Sequence, residues 1–328
     1  MLIRPDDARL TWAGAVSLQR THEWTMAWRV PFEERGLFHE ALLERAAMAA
    51  GVRIAFRSDT SLVSGQFVPR NDLTQVDLCC DGKFIGSVGL AGREEFQFDD
   101  LPAGEKVIEL WLPQFGQFQL RSLALSDGAS LTRFEDTRPR WITYGSSISH
   151  CRTAESPTQT WPAIVARGRG LNLTCLGFGG QCHLDPMIAR LIRDLPADFL
   201  SICVGINVQG SASLSPRTFR TGIIGFVKIV REKHPTMPFA VMSPIISPPR
   251  ETKPNAVGFN LRMMREEVKA AVAALQAHGD RQVHYVDGLE VLGPDLAHLL
   301  PDELHPNAEG YKAMGRNFLD KVAATRFF

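Results

Sequence analysis

The chain has 328 residues, 45% of them hydrophobic and 22% charged, which is enough for a sizeable core in one large domain or two ordinary ones. Lys+Arg and Asp+Glu both number 36, so the formal net charge is zero, which argues against nucleic acid or an anionic membrane as the main partner. No apolar run reaches 18 residues, so no membrane span is expected, and the start Met1-Leu-Ile-Arg-Pro-Asp-Asp lacks the layout of a signal peptide; a cytoplasmic protein is expected.

In chain order, Gly36–Ala50 is rich in Ala, Leu and Glu and predicts a helix closed by Gly51. Strands are predicted at Val52–Arg57, Leu62–Val68, Gln75–Cys80, Phe84–Leu90, Glu95–Phe98, Lys106–Leu112 and Gln117–Leu125. Asp81-Gly82, Ala91-Gly92, Pro102-Ala-Gly104 and Phe115-Gly116 supply the turns between them. Short strands at this spacing predict an all-β sandwich over residues 1–135. The polar stretch 126–139 separates it from a second domain, 136–328, in which strands and helices alternate. Strands there are predicted at Trp141–Tyr144, Leu171–Leu176, Asp198–Val204, Pro238–Ser243 and Val283–Val286. Helices are predicted near Thr160–Ala166, Asp185–Asp194, Pro216–Lys233, Val257–His278 and Ala308–Val322. Ser215-Pro216 is a cap residue followed by Pro at the first helical position. Five short apolar runs separated by helices predict a parallel sheet covered on both faces.

Six cysteines, Cys79, Cys80, Cys151, Cys175, Cys182 and Cys203, show no C-x-x-C spacing and read as reduced thiols. His22, His39, His278, His284 and His298 have no ligand partner at i+3 or i+4, so neither a metal nor another cofactor is expected. Trp111, Phe115 and Phe118 are either core residues of the β domain or a sugar-binding face, and core packing fits their pattern better.

Four blocks carry the chemistry: Tyr144-Gly-Ser-Ser-Ile148, Gly177-Phe-Gly-Gly180, Gly205-Ile-Asn207 and Asp302-Glu-Leu-His-Pro306. The first three follow predicted parallel strands, whose ends are where reactive groups collect in an open α/β sheet. Ser147 ends a strand just before a helix, where its own N–H lies near the positive helix end. A serine hydroxyl needs a base to act as a nucleophile. His305 is the candidate base, and Asp302, three residues earlier in the same loop, is placed to fix its tautomer. Ser147 N–H, Gly180 N–H and the Asn207 amide are candidate donors to an oxyanion, each worth roughly 10²–10³ in rate. His150, Gln181, His183 and Arg250 are candidates for the substrate pocket, with packing beneath the helix turns, or a plain loop for Arg250, as the competing reading. Cys151, four residues beyond the serine, has no base assigned to it by spacing and is not expected to be the nucleophile.

These four blocks, in this order, resemble the SGNH (GDSL-like) hydrolase superfamily, over roughly residues 138–325. The resemblance implies a flavodoxin-like three-layer α/β domain, with Ser147, His305 and Asp302 as catalytic groups and Ser147, Gly180 and Asn207 as the oxyanion hole. Ser146, Val208 and Cys175 depart from residues common in the family. Ser146 matches a Gly-Ser-Ser-Ile subgroup whose members often carry an N-terminal jelly-roll-like β domain, and the three departures together point away from the better-known secreted lipases. The reaction so implied is hydrolysis of a small O-acyl ester of a sugar or metabolite through an acyl-enzyme. The alternatives are transfer of the acyl group to a metabolite hydroxyl and, from another class, a carbohydrate-binding protein without catalysis. The expected partner is therefore a small-molecule or sugar ester, with no nucleic acid and no membrane; the oligomeric state is not legible.

Overall fold

A computed structural model describes residues 1–323, and residues 324–328 of the expected second domain lie outside it. The chain divides into two compact units. The first holds 1–138 together with two short pieces from further along, 155–158 and 172–175; the second holds the remainder.

The first unit is built from antiparallel strands. Its first 30 residues hold β1 (Leu2–Ile3), β2 (Thr11–Ala13), β3 (Ser17–Arg20) and β4 (Thr25–Trp28). None was visible in the sequence, because two to four residues are too few for a period-2 pattern. The long helix expected over Gly36–Ala50 is instead a 3₁₀ turn, Phe32–Leu37, and a seven-residue helix α1 (Glu40–Ala46). The break falls at His39, whose Nδ1 caps α1 by accepting the Ala41 N–H. Then follow β5 (Arg53–Ser58), β6 (Val63–Phe67), β7 (Gln75–Cys80), β8 (Lys83–Gly89), β9 (Glu95–Phe98), β10 (Lys106–Trp111) and β11 (Gln119–Leu125), within one or two residues of expectation. One sheet has the order β3-β4-β11-β6-β9, with β1 on β11; the other has the order β2-β5-β10-β7-β8. Alternate residues such as Ile54, Phe56, Phe67, Ile108, Leu110, Phe118 and Leu120 form one buried core.

The other face of the second sheet is also buried, and it carries charge. Arg53, Asp77, Glu109 and Trp111 lie there, each at most 3% exposed. Arg53 sits over the Trp111 ring and donates to Leu173 O and Asn172 Oδ1. Asp77 Oδ2 accepts from both the Ser156 and Thr158 hydroxyls. Nothing in the sequence marks this layer, because its partners lie 79 to 120 positions further along the chain. Phe118 is buried in the apolar core and Trp111 under Arg53, so neither offers an exposed face for stacking a sugar, while Phe115 is half-buried beside Arg45.

The second unit is a five-stranded sheet with β12 (Arg140–Gly145), β13 (Asn172–Gly177, whose first residues belong to the first unit), β14 (Phe199–Cys203), β15 (Phe239–Met242) and β16 (Val283–Val286). Its order is β13-β12-β14-β15-β16, and β12, β14, β15 and β16 pair in parallel. That is the 2-1-3-4-5 winding of flavodoxin-like sheets, whose crevice opens where the order reverses. Trp141 and Tyr144, three apart on β12, face opposite sides. Trp141 packs on Trp161 of α3 (Trp161–Arg169; α2 is the single turn Ser147–His150) and on Phe318 of α9 (Ala308–Phe318). Tyr144 stacks on Phe226 of α6 (Pro216–Arg231), and with α4 (Pro186–Asp194) and α7 (Leu261–Ala277) this helix covers the other face. The helix start foreseen at Ser215 is a full capping box with Thr218. Two further short helices are α5 (Ile206–Ser211) and α8 (Gly288–Val291).

Candidate active site

The sheet order puts the reversal between β12 and β14, and Ser147 and Asn207 follow these two strands directly. Ser146 caps α2: its buried hydroxyl accepts the Ile148 N–H at 3.2 Å, and its carbonyl accepts the Ser149 and His150 N–H groups. Ser147 is thus the first helical residue, where the backbone N–H has no intrahelical acceptor. The turn is held against the end of β13 by glycines. Phe178 N–H donates to Gly145 O at 2.8 Å. A Cβ on Gly177 would lie 2.4 Å from His150 N and from Ser149 C, so only glycine lets the two backbones approach this closely.

Gly180 occupies the third position of a turn closed by Gln181 N–H to Phe178 O, with φ +76. Type II turns require that left-handed residue. The Asn207 side chain accepts the Cys182 N–H at 3.0 Å. Only the amide oxygen can accept from an N–H, so this bond fixes the amide with Nδ2 as its donor end.

The last block lies in the loop before α9. Asp302 Oδ1 accepts the Leu304 and His305 N–H groups at 3.1 and 2.6 Å, and Oδ2 accepts from His305 Nδ1 at 2.7 Å. With its proton on Nδ1, the ring faces Ser147 with the Nε2 lone pair, and Nε2 stands 2.8 Å from Ser147 Oγ. Glu303, between them, has φ +60, which folds the loop tightly enough for one carboxylate to hold both ring and backbone. Burial works to raise the Asp302 pKa, but the His305 ring and the two backbone N–H groups outweigh it and hold the carboxyl below 3.8. A serine hydroxyl, an imidazole base and an orienting carboxylate in this chain can together move a proton off the hydroxyl as it attacks a carbonyl.

The other candidates are placed as follows. His150 is 2% exposed, and its Nδ1 accepts the Gly179 N–H at 3.4 Å, beneath the glycine turn. His183 Nε2 donates to Gly180 O at 3.0 Å, and its Nδ1 then accepts from the Ser213 hydroxyl at 2.8 Å, so the ring braces the Gly180 peptide. Gln181 closes the same turn through its backbone. Arg250 lines a cleft of about 460 Å³ that runs past Asp302 and Glu303, together with Gln209, Lys253 and Asn255. Sequence reading missed Lys253, Gln209 and Asn255, which carry no spacing signal.

Thiol chemistry is not supported by the environment. Burial pushes the Cys182 thiol far up and the Cys203 thiol up to about 12, and Cys151 is fully buried with its S–H directed to Ile148 O. Among the described residues, no group of three or more His, Cys, Asp or Glu side chains is placed to hold a metal, and no helix is long and apolar enough to cross a membrane.

Comparison with known proteins agrees with this architecture. A salicylyl-acyltransferase, SsfX3, from a tetracycline biosynthetic pathway is 37% identical, with a TM-score of 0.90, over 99% of this chain and 97% of that one. A protein of Bacteroides ovatus described as a GDSL-like lipase has 21% identity and a TM-score of 0.80, over 99% of this chain and 97% of its own. A family two carbohydrate esterase of Cellvibrio japonicus has 13% identity and a TM-score of 0.68 over the same shares, a likeness of fold. No curated protein sequence matches. The SsfX3 N-terminal domain family matches residues 10–121. The GDSL-like lipase/acylhydrolase family matches residues 142–313, more than half of the chain, and it is to this family that the chain belongs.

Proposed function

We propose that the protein is a serine esterase that cleaves small O-acyl esters of a sugar or metabolite through an acyl-enzyme on Ser147. The observation that carries this reading is the hydrogen-bonded series Ser147 Oγ, His305 Nε2, His305 Nδ1, Asp302 Oδ2, at 2.8 and 2.7 Å. His305 takes the hydroxyl proton as Oγ bonds to the ester carbon. The carbonyl oxygen becomes an oxyanion facing the Ser147 and Gly180 N–H groups and Asn207 Nδ2. As the C–O bond to the alcohol breaks, His305 returns the proton to the departing oxygen. Water then enters, gives a proton to His305 and bonds to the acyl carbon. The acid leaves as Ser147 recovers its hydrogen. Asp302 stays ionised throughout and holds the ring. His150 and His183 support the Gly179–Gly180 turn, and Arg250 and Gln181 border the substrate. All six cysteines are buried free thiols, which supports a reducing compartment such as the cytoplasm.

A second reading has the same acyl-enzyme meet a metabolite hydroxyl in place of water. The likeness to a salicylyl-acyltransferase across both halves of the chain favours keeping it. Ser147→Ala is expected to abolish p-nitrophenyl acetate turnover and fluorophosphonate labelling while the melting temperature holds. Labelling at full strength in that variant rejects Ser147 as nucleophile. Product partitioning with added alcohols separates the two readings: an ester product that outweighs the free acid at millimolar alcohol selects transfer.

A further inference from the structure

Ser247 lies in the loop after β15, distant in sequence from every block named above, and is 1% exposed. Its hydroxyl donates to Glu303 O at 2.8 Å, and the same oxygen accepts from Arg250 Nη1 at 3.2 Å. With Arg250 supplying a proton from one side, the serine's own hydrogen is directed to the Glu303 carbonyl. The serine is itself held. Its N–H donates to Glu251 Oε1 at 3.3 Å. Glu251 is gripped by Arg265 through Nη1 and Nη2, at 2.7 and 2.8 Å. Arg265, 5% exposed, also donates to the carbonyls of Pro244 and Ile245, which anchors the loop to α7.

Glu303 is the residue that turns the chain between Asp302 and His305. At φ +60 it occupies a conformation that L side chains disfavour, and its own side chain is exposed. Its N–H bonds to Leu300 O, and its carbonyl has Ser247. Removing the hydroxyl lets the Glu303 peptide relax. Leu304 and His305 N–H then leave Asp302 Oδ1, and the ring loses its fixed tilt.

We propose that Ser247 is a positioning residue for the Ser147–His305–Asp302 series, acting through the Glu303 carbonyl; this rests on the acyl-enzyme reading above. The test uses the full chain and compares wild type with Ser247→Ala and Ser247→Thr. It reads the rate of fluorophosphonate labelling, kcat and KM for p-nitrophenyl acetate, and the melting temperature. Ser247→Ala is expected to label and turn over roughly tenfold more slowly, the factor carried by one ordinary hydrogen bond, with KM unchanged. Ser247→Thr, which restores a hydroxyl, is expected to recover most of that loss. A purely structural serine would lower the melting temperature without this split between kcat and KM. Should Ser247→Ala fail to fold, Ser247→Cys keeps the side-chain size with a weaker donor, and a lowered labelling rate at native melting temperature is expected. Wild-type labelling in whichever of the two variants folds, or no recovery by threonine, overturns the proposal. A wild-type enzyme that is never labelled removes the acyl-enzyme reading itself, and with it this inference.

Discussion

Replacing Gly177 by alanine places a methyl group where the main chain of α2 runs. The new Cβ would stand 2.4 Å from His150 N, 2.4 Å from Ser149 C and 2.7 Å from Ser149 O. Non-bonded carbons pack at about 3.5–4.0 Å, so the backbone at 149–150 must retreat by roughly 1 Å. The obstructing atoms are backbone, so no rotamer change relieves the clash. The helix is one turn long and begins at Ser147, so the retreat carries the Ser147 hydroxyl with it and opens the 2.8 Å contact to His305. Overpacking of this kind costs about 1–3 kcal/mol of stability. A misplacement of about 1 Å at reacting atoms costs on the order of 10² in turnover. Gly170→Ala, at the C-terminal cap of α3 away from the site, is the control: its Cβ meets nothing within 4 Å, so at φ +61 it bears only the left-handed penalty of about 1–2 kcal/mol. Thermal unfolding and p-nitrophenyl acetate turnover on both variants decide the matter. Wild-type turnover in Gly177→Ala, or an equal loss of turnover in Gly170→Ala, refutes the argument that close approach at Gly177 sets the position of Ser147.

Asn207→Ala is expected to lower kcat by about 10²–10³ with little change in KM, because a donor to the oxyanion acts chiefly in the transition state; an equal rise in KM would mean it binds the ground state instead. Asp302→Asn, measured by the same turnover, is expected to cost on the order of 10⁴ while substrate binding persists, since an amide cannot hold the imidazole in the tautomer used here. Acid sensitivity follows from the lowered Asp302 pKa. The ionised form makes the contacts, so their contribution is full above pH 3.8 and is lost as pH falls through the lower folded value. Hydrogen exchange at the His305 and Leu304 amides is expected to stay slow down to about pH 4, and loss of protection above about pH 5 would contradict it. Glu251→Gln leaves the Arg265 charge buried without its counter-charge and with one acceptor fewer, and denaturant unfolding is expected to show a loss of about 3 kcal/mol; a loss below about 1 kcal/mol would show the pair to be solvated.

The elements legible in the sequence were those with enough residues to show a period or a punctuation mark. The strands Gln75–Cys80 and Val283–Val286 sit where alternation and flanking turns placed them, and Ser215-Pro216 begins α6. Strands β1 to β4 are too short to carry a pattern, and the break at His39 depended on a ring nitrogen capping a helix, a role propensity does not report. Asp77, Arg53 and Glu109 lie in strands the sequence located, but their burial was not legible there, because the partners that compensate a buried charge stand far along the chain.

The order of residues alone decided which chemical groups the chain possesses and on what kind of element each would sit. A serine after a strand, an imidazole three residues past a carboxylate, and glycines at a strand's end follow from local backbone rules that act over a few positions. Whether the groups meet was left to the sheet. The 2-1-3-4-5 winding sets the ends of β12 and β14 side by side, and the loop before α9 delivers His305 to Ser147 across 158 positions of chain. The Ser247 hydroxyl on the Glu303 carbonyl belongs to the same category. It joins two loops 56 positions apart, and contacts at such separation arise from packing, which no local pattern encodes.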